Sequence, residues 1–195
     1  MRTNAPIVPE GSAVGKQGCP LVHSGWSRTL ALSVFKKGGR NVAIAGDPPM
    51  RLLLAFQQLY PAQAAPEWVI QAPGREMWAA AARHPGHEFT IGAPDLDARV
   101  TFSYRSARGG LSVLNRPLPR WARYAAGALL ALRDSGVECG GLLAAVMGSE
   151  PPGPRYEHAV GIAVAALACS CQGRAYTAGE LIELVERVRR EYVEA

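Results

Sequence analysis

The sequence predicts an α+β fold in which a mixed sheet is backed by helices, and three observations carry that expectation. The stretch from Pro119 to Ala195 reads helix, strand, proline–glycine turn, helix and capped helix. The middle third alternates short apolar runs with turn residues, as strands do. Finally, apolar residues make up 48% of the 195 positions against 19% charged, the composition of a domain with a core.

Residues 1–28 are rich in proline and glycine and read as an unanchored arm. Residues 29–46 hold two short apolar runs around Lys37-Gly38-Gly39-Arg40, which predicts a hairpin. From Pro48 to Tyr60 the positions Met50, Leu52, Leu53, Leu54, Phe56 and Leu59 predict a short, broadly apolar helix. Pro61, which cannot donate the next helical hydrogen bond, ends it. The run Trp68-Val69-Ile70 forms a short strand leading into Ala72-Pro73-Gly74-Arg75. Glu88–Ile91 and Arg99–Arg105 are two more strands, the second with Val100, Phe102 and Tyr104 alternating against Thr101 and Ser103. Gly109-Gly110 makes a turn before a further short strand over Leu111–Leu114.

A helix over Arg120–Asp134 places Trp121, Tyr124, Ala125, Ala128, Leu129 and Leu132 on one stripe and stops before Gly136. Leu142–Met147 is a continuous apolar run bounded by glycines, which suits a strand buried on both faces. After Glu150-Pro151-Pro152-Gly153-Pro154, residues 156–172 form a helix apolar nearly all round, so it is central. The last helix opens with a capping box, Thr177 and Glu180, and buries Leu181, Leu184, Val185, Val188 and Tyr192. Glu183–Arg187 and Glu186–Arg190 are the expected pairs on its outer face.

The formal charge of +5 and a pI near 9.3 permit an anionic ligand. The arginines are scattered rather than clustered, so no nucleic-acid partner is predicted. No apolar segment reaches the roughly 20 residues that a bilayer demands, and the N-terminus lacks the apolar stretch of a signal peptide. The cysteines Cys19, Cys139, Cys169 and Cys171 have no framework spacing. Together these features predict a cytoplasmic protein with reduced thiols and no membrane partner.

Four motifs invite a chemical reading. Gly11–Gln17 looks like a phosphate loop, but its spacing is one residue short, Gln17 replaces the magnesium-facing hydroxyl, and no buried strand precedes it. His84-Pro85-Gly86-His87 offers two imidazoles with no partner pair nearby and reads as a plain loop. Cys169 and Cys171 fall on different sides of a helix and read as small core residues. The turn from Glu150 to Pro154 is different, because it aims helix N–H groups at one spot where an anion can bind. Glu150 and Glu157 beside it would repel phosphate, and a plain strand–helix connection would look the same.

The order of these elements resembles the first half of a galactokinase-type sugar kinase of the GHMP family, over about Arg51 to Ala195. The residues that carry the resemblance are Ala72-Pro73-Gly74-Arg75, the Trp121, Tyr124 and Gly127 spacing, the buried strand, and Pro151 with Gly153 at the start of the family's phosphate loop. The resemblance implies a GHMP-kinase N-terminal domain at 51–195, with the second half of the family fold absent, preceded by an arm over 1–50. It also implies ATP and Mg as cofactors and a monosaccharide as substrate. On that analogy Arg75 lies near the transferred phosphoryl group, Trp121 lines the adenine pocket and Gly153 gives backbone room beside the ATP phosphates.

The departures lie at the chemical positions. After Gly153 the family's glycine and serines are replaced by Pro154-Arg155-Tyr156-Glu157-His158, and after Arg75 its sugar clamp is replaced by Ala80–Pro85, without a carboxylate. The chain also ends before the family's catalytic aspartate. Two readings therefore stand. One is a galactokinase-like sugar 1-kinase by descent, truncated and with little or no activity. The other is a non-catalytic binding module, with a protein partner or self-association through uncovered apolar surface.

Overall fold

A computed structural model of the chain describes residues 49–63 and 65–195. The expected arm and hairpin, the Gly11–Gln17 run and Cys19 lie outside the described residues. Helix α1 spans Met50–Leu59, with Tyr60 as its cap and Pro61 beyond. Four strands follow: β1 (Trp68–Gln71), β2 (Met77–Arg83), β3 (Glu88–Ala93) and β4 (Ala98–Ser103). Then come α2 (Tyr104–Arg108), α3 (Arg120–Asp134), β5 (Leu142–Gly148), α4 (Pro154–Cys171) and α5 (Ala178–Val188), the last running into a π-helical turn at Arg189–Val193.

The five strands make one mixed sheet in the order β1-β2-β5-β3-β4. β5 is antiparallel to β2, with Ala80 opposite Ala145, and parallel to β3, with Ile91 opposite Ala144. The parallel pair requires a long return path, supplied here by β4, α2 and α3. Side chains alternate across the sheet. Ala79, Ala81, Ile91, Phe102, Ala144 and Val146 face the core shared with α3, α4 and α5. Ala80, Ala82, Ala145 and Met147 face the other way, against Leu52, Phe56 and Tyr60 of the α1 segment. Tyr60 is tied to the sheet through its hydroxyl, which lies 2.9 Å from the Thr90 carbonyl and 2.8 Å from that of Ala144.

The helical half matches the sequence expectation closely. α3 has the expected bounds, and its burial extends to Ala122, Ala126 and Leu130 because α4 and α5 both pack on it. Gly127 marks the closest approach: a Cβ there would lie 2.4 Å from Val188 and 2.7 Å from Tyr192. α4 is buried from Tyr156 to Cys169 apart from Glu157. The Thr177–Glu180 capping box is formed, with the Thr177 N–H donating to Glu180 Oε2 at 2.7 Å.

Four expectations are corrected. β2 was not foreseen, because Ala79–Ala82 is the best helix-forming run in the chain. Both its edges are hydrogen-bonded and both its faces are covered, so small side chains win over local propensity. The strand expected over Arg99–Arg105 stops at Ser103, which caps α2 by exchanging hydrogen bonds with Ser106. Leu111–Leu114 is not a strand; only a single bridge joins Leu111 to Pro117. Glu186 pairs with Arg189 at 3.0 Å, three residues on and on the same helix face, rather than with Arg190.

Gly148 ends β5 under the β1–β2 turn: a Cβ there would lie 2.1 Å from the Glu76 carbonyl oxygen. Gly148→Ala should therefore destabilise the fold by about 1–3 kcal/mol through overpacking against backbone. Denaturant unfolding of this variant beside the wild type measures the difference.

Candidate functional site

The N-terminal end of α4 gathers three segments distant in sequence. The first is Ala72–Glu76 between β1 and β2. Its Ala72-Pro73-Gly74-Arg75 core is a β-turn, with the Arg75 N–H donating to the Ala72 carbonyl at 3.1 Å and Gly74 at φ 68°. Proline at the second and glycine at the third position are what a type II turn requires, so the motif has a local structural cause. The Gln71 side chain donates to the Arg75 carbonyl at 3.0 Å and holds the turn closed.

The second segment, Gly148–Pro154, joins β5 to α4. It is bonded to the first turn by the Ser149 N–H, which donates to the Glu76 carbonyl at 3.0 Å, and by the Ser149 hydroxyl, which donates to the Glu76 carboxylate. The Gly148 N–H donates to Asp95 Oδ2 at 2.9 Å, which adds the β3–β4 connection. Gly153 stands at φ 127°, a backbone conformation other residues rarely adopt, and lets the chain swing into α4 at Pro154.

The carboxylate of Glu150 occupies this junction. Its side chain is only 3% exposed, lies 2.6 Å from Arg155 Nε through Oε2, and accepts the Glu76 N–H through Oε1 at 3.4 Å. Arg155 belongs to the first turn of α4, where the helix dipole favours negative charge. The chain's own carboxylate thus lies beside this helix end, held by the Arg155 side chain and the Glu76 N–H. Pro154 supplies no N–H, and Glu157 brings a second carboxylate into the same turn.

The third segment is the start of α3. Arg120 Nε lies 3.1 Å from Glu157 Oε2, and its NH2 group lies 3.7 Å from Glu194. One turn further along α4, His158 is buried, with Nε2 3.0 Å from Glu186 Oε1 and its ring edge-on to Tyr124. Burial holds its pKa below the ordinary imidazole value; the Glu186 carboxylate pulls the other way, and the positive charge of Arg75 adds to the lowering. Beside the junction, an open cavity of about 670 Å³ is lined by Arg51, Gln58, Asp95, Pro151 and Tyr156, among others.

The three sequence-predicted residues differ in placement. Arg75 is half-buried in its turn, at the edge of the junction. Gly153 is at the junction itself. Trp121 is 6% exposed and packs in the main core, so its side chain faces away from solvent. Sequence reasoning noted Glu150 and Glu157 as repelling phosphate but missed that Glu150 is buried and paired with Arg155, three residues past the proline pair. It also missed Glu76, Ser149 and Asp95, which have no motif. His84 Nδ1 accepts the Gly86 N–H at 3.2 Å, the contact of a loop histidine. Among the described residues no group of three His, Cys, Asp or Glu side chains is placed to hold a metal ion, and no helix is long and apolar enough to cross a membrane.

No family model and no curated protein matches the chain in sequence. Among solved structures, Lactococcus lactis galactokinase complexed with galactose is similar at a TM-score of 0.51 and 12% identity, over 73% of this chain and 42% of that one. Methanococcus jannaschii mevalonate kinase is similar at a TM-score of 0.46 and 10% identity, over 59% and 36%. Streptococcus pneumoniae phosphomevalonate kinase, in complex with phosphomevalonate and AMPPNP, gives 0.41 and 15%, over 62% and 35%. These neighbours are kinases of the GHMP type, and the chain spans less than half the length of each. The likeness to the galactokinase is one of fold: a kinase-like scaffold with a mixed sheet and helices.

Two outcomes follow from the geometry. Trp121→Ala should cost about 3–5 kcal/mol in unfolding free energy, as loss of a core indole does, so unfolding must be measured beside any binding assay on it. His158 has a folded pKa below its unfolded one, so the unfolded chain takes up the proton first. Stability should hold above about pH 6.5 and fall as pH drops below it. His158→Gln should flatten that part of a pH–melting profile.

Proposed function

We propose that the chain is a galactokinase-like scaffold, with residues 51–195 as one domain, on which ATP-dependent phosphorylation of a sugar has been reduced to little or nothing. The observation that carries this reading is the Glu150 carboxylate, buried at the start of α4 and held by Arg155 at 2.6 Å. A phosphate brought to that helix end would meet a fixed negative charge; two unit charges about 4 Å apart repel by roughly 4 kcal/mol at an effective dielectric of about 20. Pro154 removes one backbone donor, Glu157 adds a carboxylate, and the nearby Ser149 hydroxyl is committed to Glu76. The residues present therefore do not fit a triphosphate with its magnesium ion. Phosphoryl transfer depends on positioning and charge stabilisation, so the assignments of Arg75, Gly153 and Trp121 to ATP chemistry describe the scaffold's type rather than a working site.

Calorimetry on the full chain tests this. The wild type should show no heat of Mg-ATP binding, and Glu150→Ala, which frees Arg155 and the Glu76 N–H, should bind pyrophosphate at least roughly tenfold more tightly than the wild type. Phosphorylation of any aldose by the wild-type chain, abolished in Arg75→Ala, would overturn the reading.

A second reading, a binding or self-association module, is supported by α1. Met50 and Leu54 lie one turn apart and are 69% and 54% exposed, an apolar pair on the outer side of the helix. That reading expects concentration-dependent association in sedimentation experiments, abolished by Leu54→Asp. A monomer at every concentration sets it aside.

A further inference from the structure

At the opposite end of the sheet, where β2 ends, β5 begins and α4 stops, lies a small cavity of about 260 Å³. Arg83, His84, Cys139, Gly141, Cys171 and Gln172 are among its lining residues. Two of the four cysteines thus meet here from positions 32 apart in sequence (171 − 139).

Cys139 is fixed in place. Its backbone N–H donates to the Tyr104 hydroxyl, which in turn lies 3.2 Å from the Cys139 carbonyl. Its Sγ donates to the Ala168 carbonyl at 3.4 Å. Ala168 is three residues before Cys171, so the two share one edge of α4, a turn apart. The thiol of Cys139 therefore rests against the last turn of the helix on the edge that carries Cys171. Cys139 is buried and Cys171 half-buried, so of the two cysteines lining the cavity Cys171 is the more exposed. Cys169 is also buried and its charge acts on Cys139, but it lines a different cavity, with Leu132 and Arg174. It is the competing partner that the test must separate.

We propose that Cys139 and Cys171 are a dithiol modification site, where the chain reacts with a low-molecular-weight disulfide of the glutathione type and closes an internal disulfide between β5's lead-in and the end of α4. The accessible Cys171 thiolate attacks one sulfur of the small disulfide, forming a mixed disulfide and releasing one small thiolate. The Cys139 thiolate then attacks Cys171 Sγ, the second small thiolate leaves, and the Cys139–Cys171 bond is formed. The two cysteine thiols are oxidised, the small disulfide is reduced to two thiols, and the two protein protons pass through solvent to the departing thiolates. Burial pushes the Cys139 thiol up to about 11 and that of Cys171 up to about 12. The exchange is therefore slow near neutrality and accelerates as pH rises.

The experiment treats the reduced full chain with oxidised glutathione at about pH 7 and about pH 9, and reads intact mass and the peptide map. The expected product has lost two hydrogens, carries a peptide linking Cys139 to Cys171, forms faster at the higher pH, melts at a higher temperature and reverts with dithiothreitol. Cys139→Ser should instead retain one glutathione on Cys171, while Cys169→Ser should behave as the wild type. Because Cys139→Ser could disturb folding, phenylarsine oxide on the wild type is a second measurement: it should bridge these two sulfurs with loss of one water. Stable glutathionylation of Cys171 in the wild type, a disulfide that uses Cys169 or Cys19, or no reaction at either pH would overturn the proposal.

Discussion

Burial of β5 on both edges and both faces is the constraint on which the rest of the structure depends. It is hydrogen-bonded to β2 on one side and β3 on the other, with the main helical core behind it and α1 in front. A strand in that position cannot carry charge. Leu142, Ala144, Ala145, Val146 and Met147 meet the requirement, and the alanines of β2 meet it next door. Close approach of helix to sheet then demands small residues on α4 as well, and Ala159, Ala163, Ala165, Ala166 and Ala168 are fully buried. Packing of this kind tolerates little change in volume.

The position of β5 also decides what happens at its ends. Its C-terminal end must turn into α4 within a few residues, and this places Glu150 beside the first turn of the helix. Many strand–helix junctions of this shape hold an external anion at the helix N-terminus. Here the Arg155 side chain and the Glu76 N–H both hold a carboxylate that belongs to the chain. A ligand phosphate would have to compete with a group already present at high effective concentration. The tether from Ser149 to Glu76 and from Gly148 to Asp95 keeps that group in place.

Legibility in the sequence followed the range of the forces involved. α1, α3, α4 and α5 were readable because periodicity, glycine stops and the Thr177–Glu180 box act within a few residues. β2 was not, because its alanines become a strand only when β1 and β5 bond both edges. Tyr104 alternated correctly as a buried residue but begins a helix, since the Ser103–Ser106 cap competes with the ladder. In the candidate site, the turn at Gly153 and the place of Trp121 on a core-facing stripe were legible, and so was the hostility of Glu150 and Glu157 to phosphate. The Glu76–Ser149 contact and the His158–Glu186 pair were not, since each joins residues that only the fold brings together.

The sequence by itself determined where the four longer helices lie, that one strand is doubly buried, and that the β5–α4 turn is poorly suited to a phosphate. These depend on backbone conformation, side-chain volume and charge, all of which are local properties. Only the tertiary structure decided the strand order, the parallel pairing of β3 with β5, the pairing of Glu150 with Arg155 and the meeting of Cys139 with Cys171. Sheet pairing and the meeting of distant side chains are long-range: a partner strand, or the packed junction that buries the Glu150 carboxylate, exists only after the chain has closed on itself.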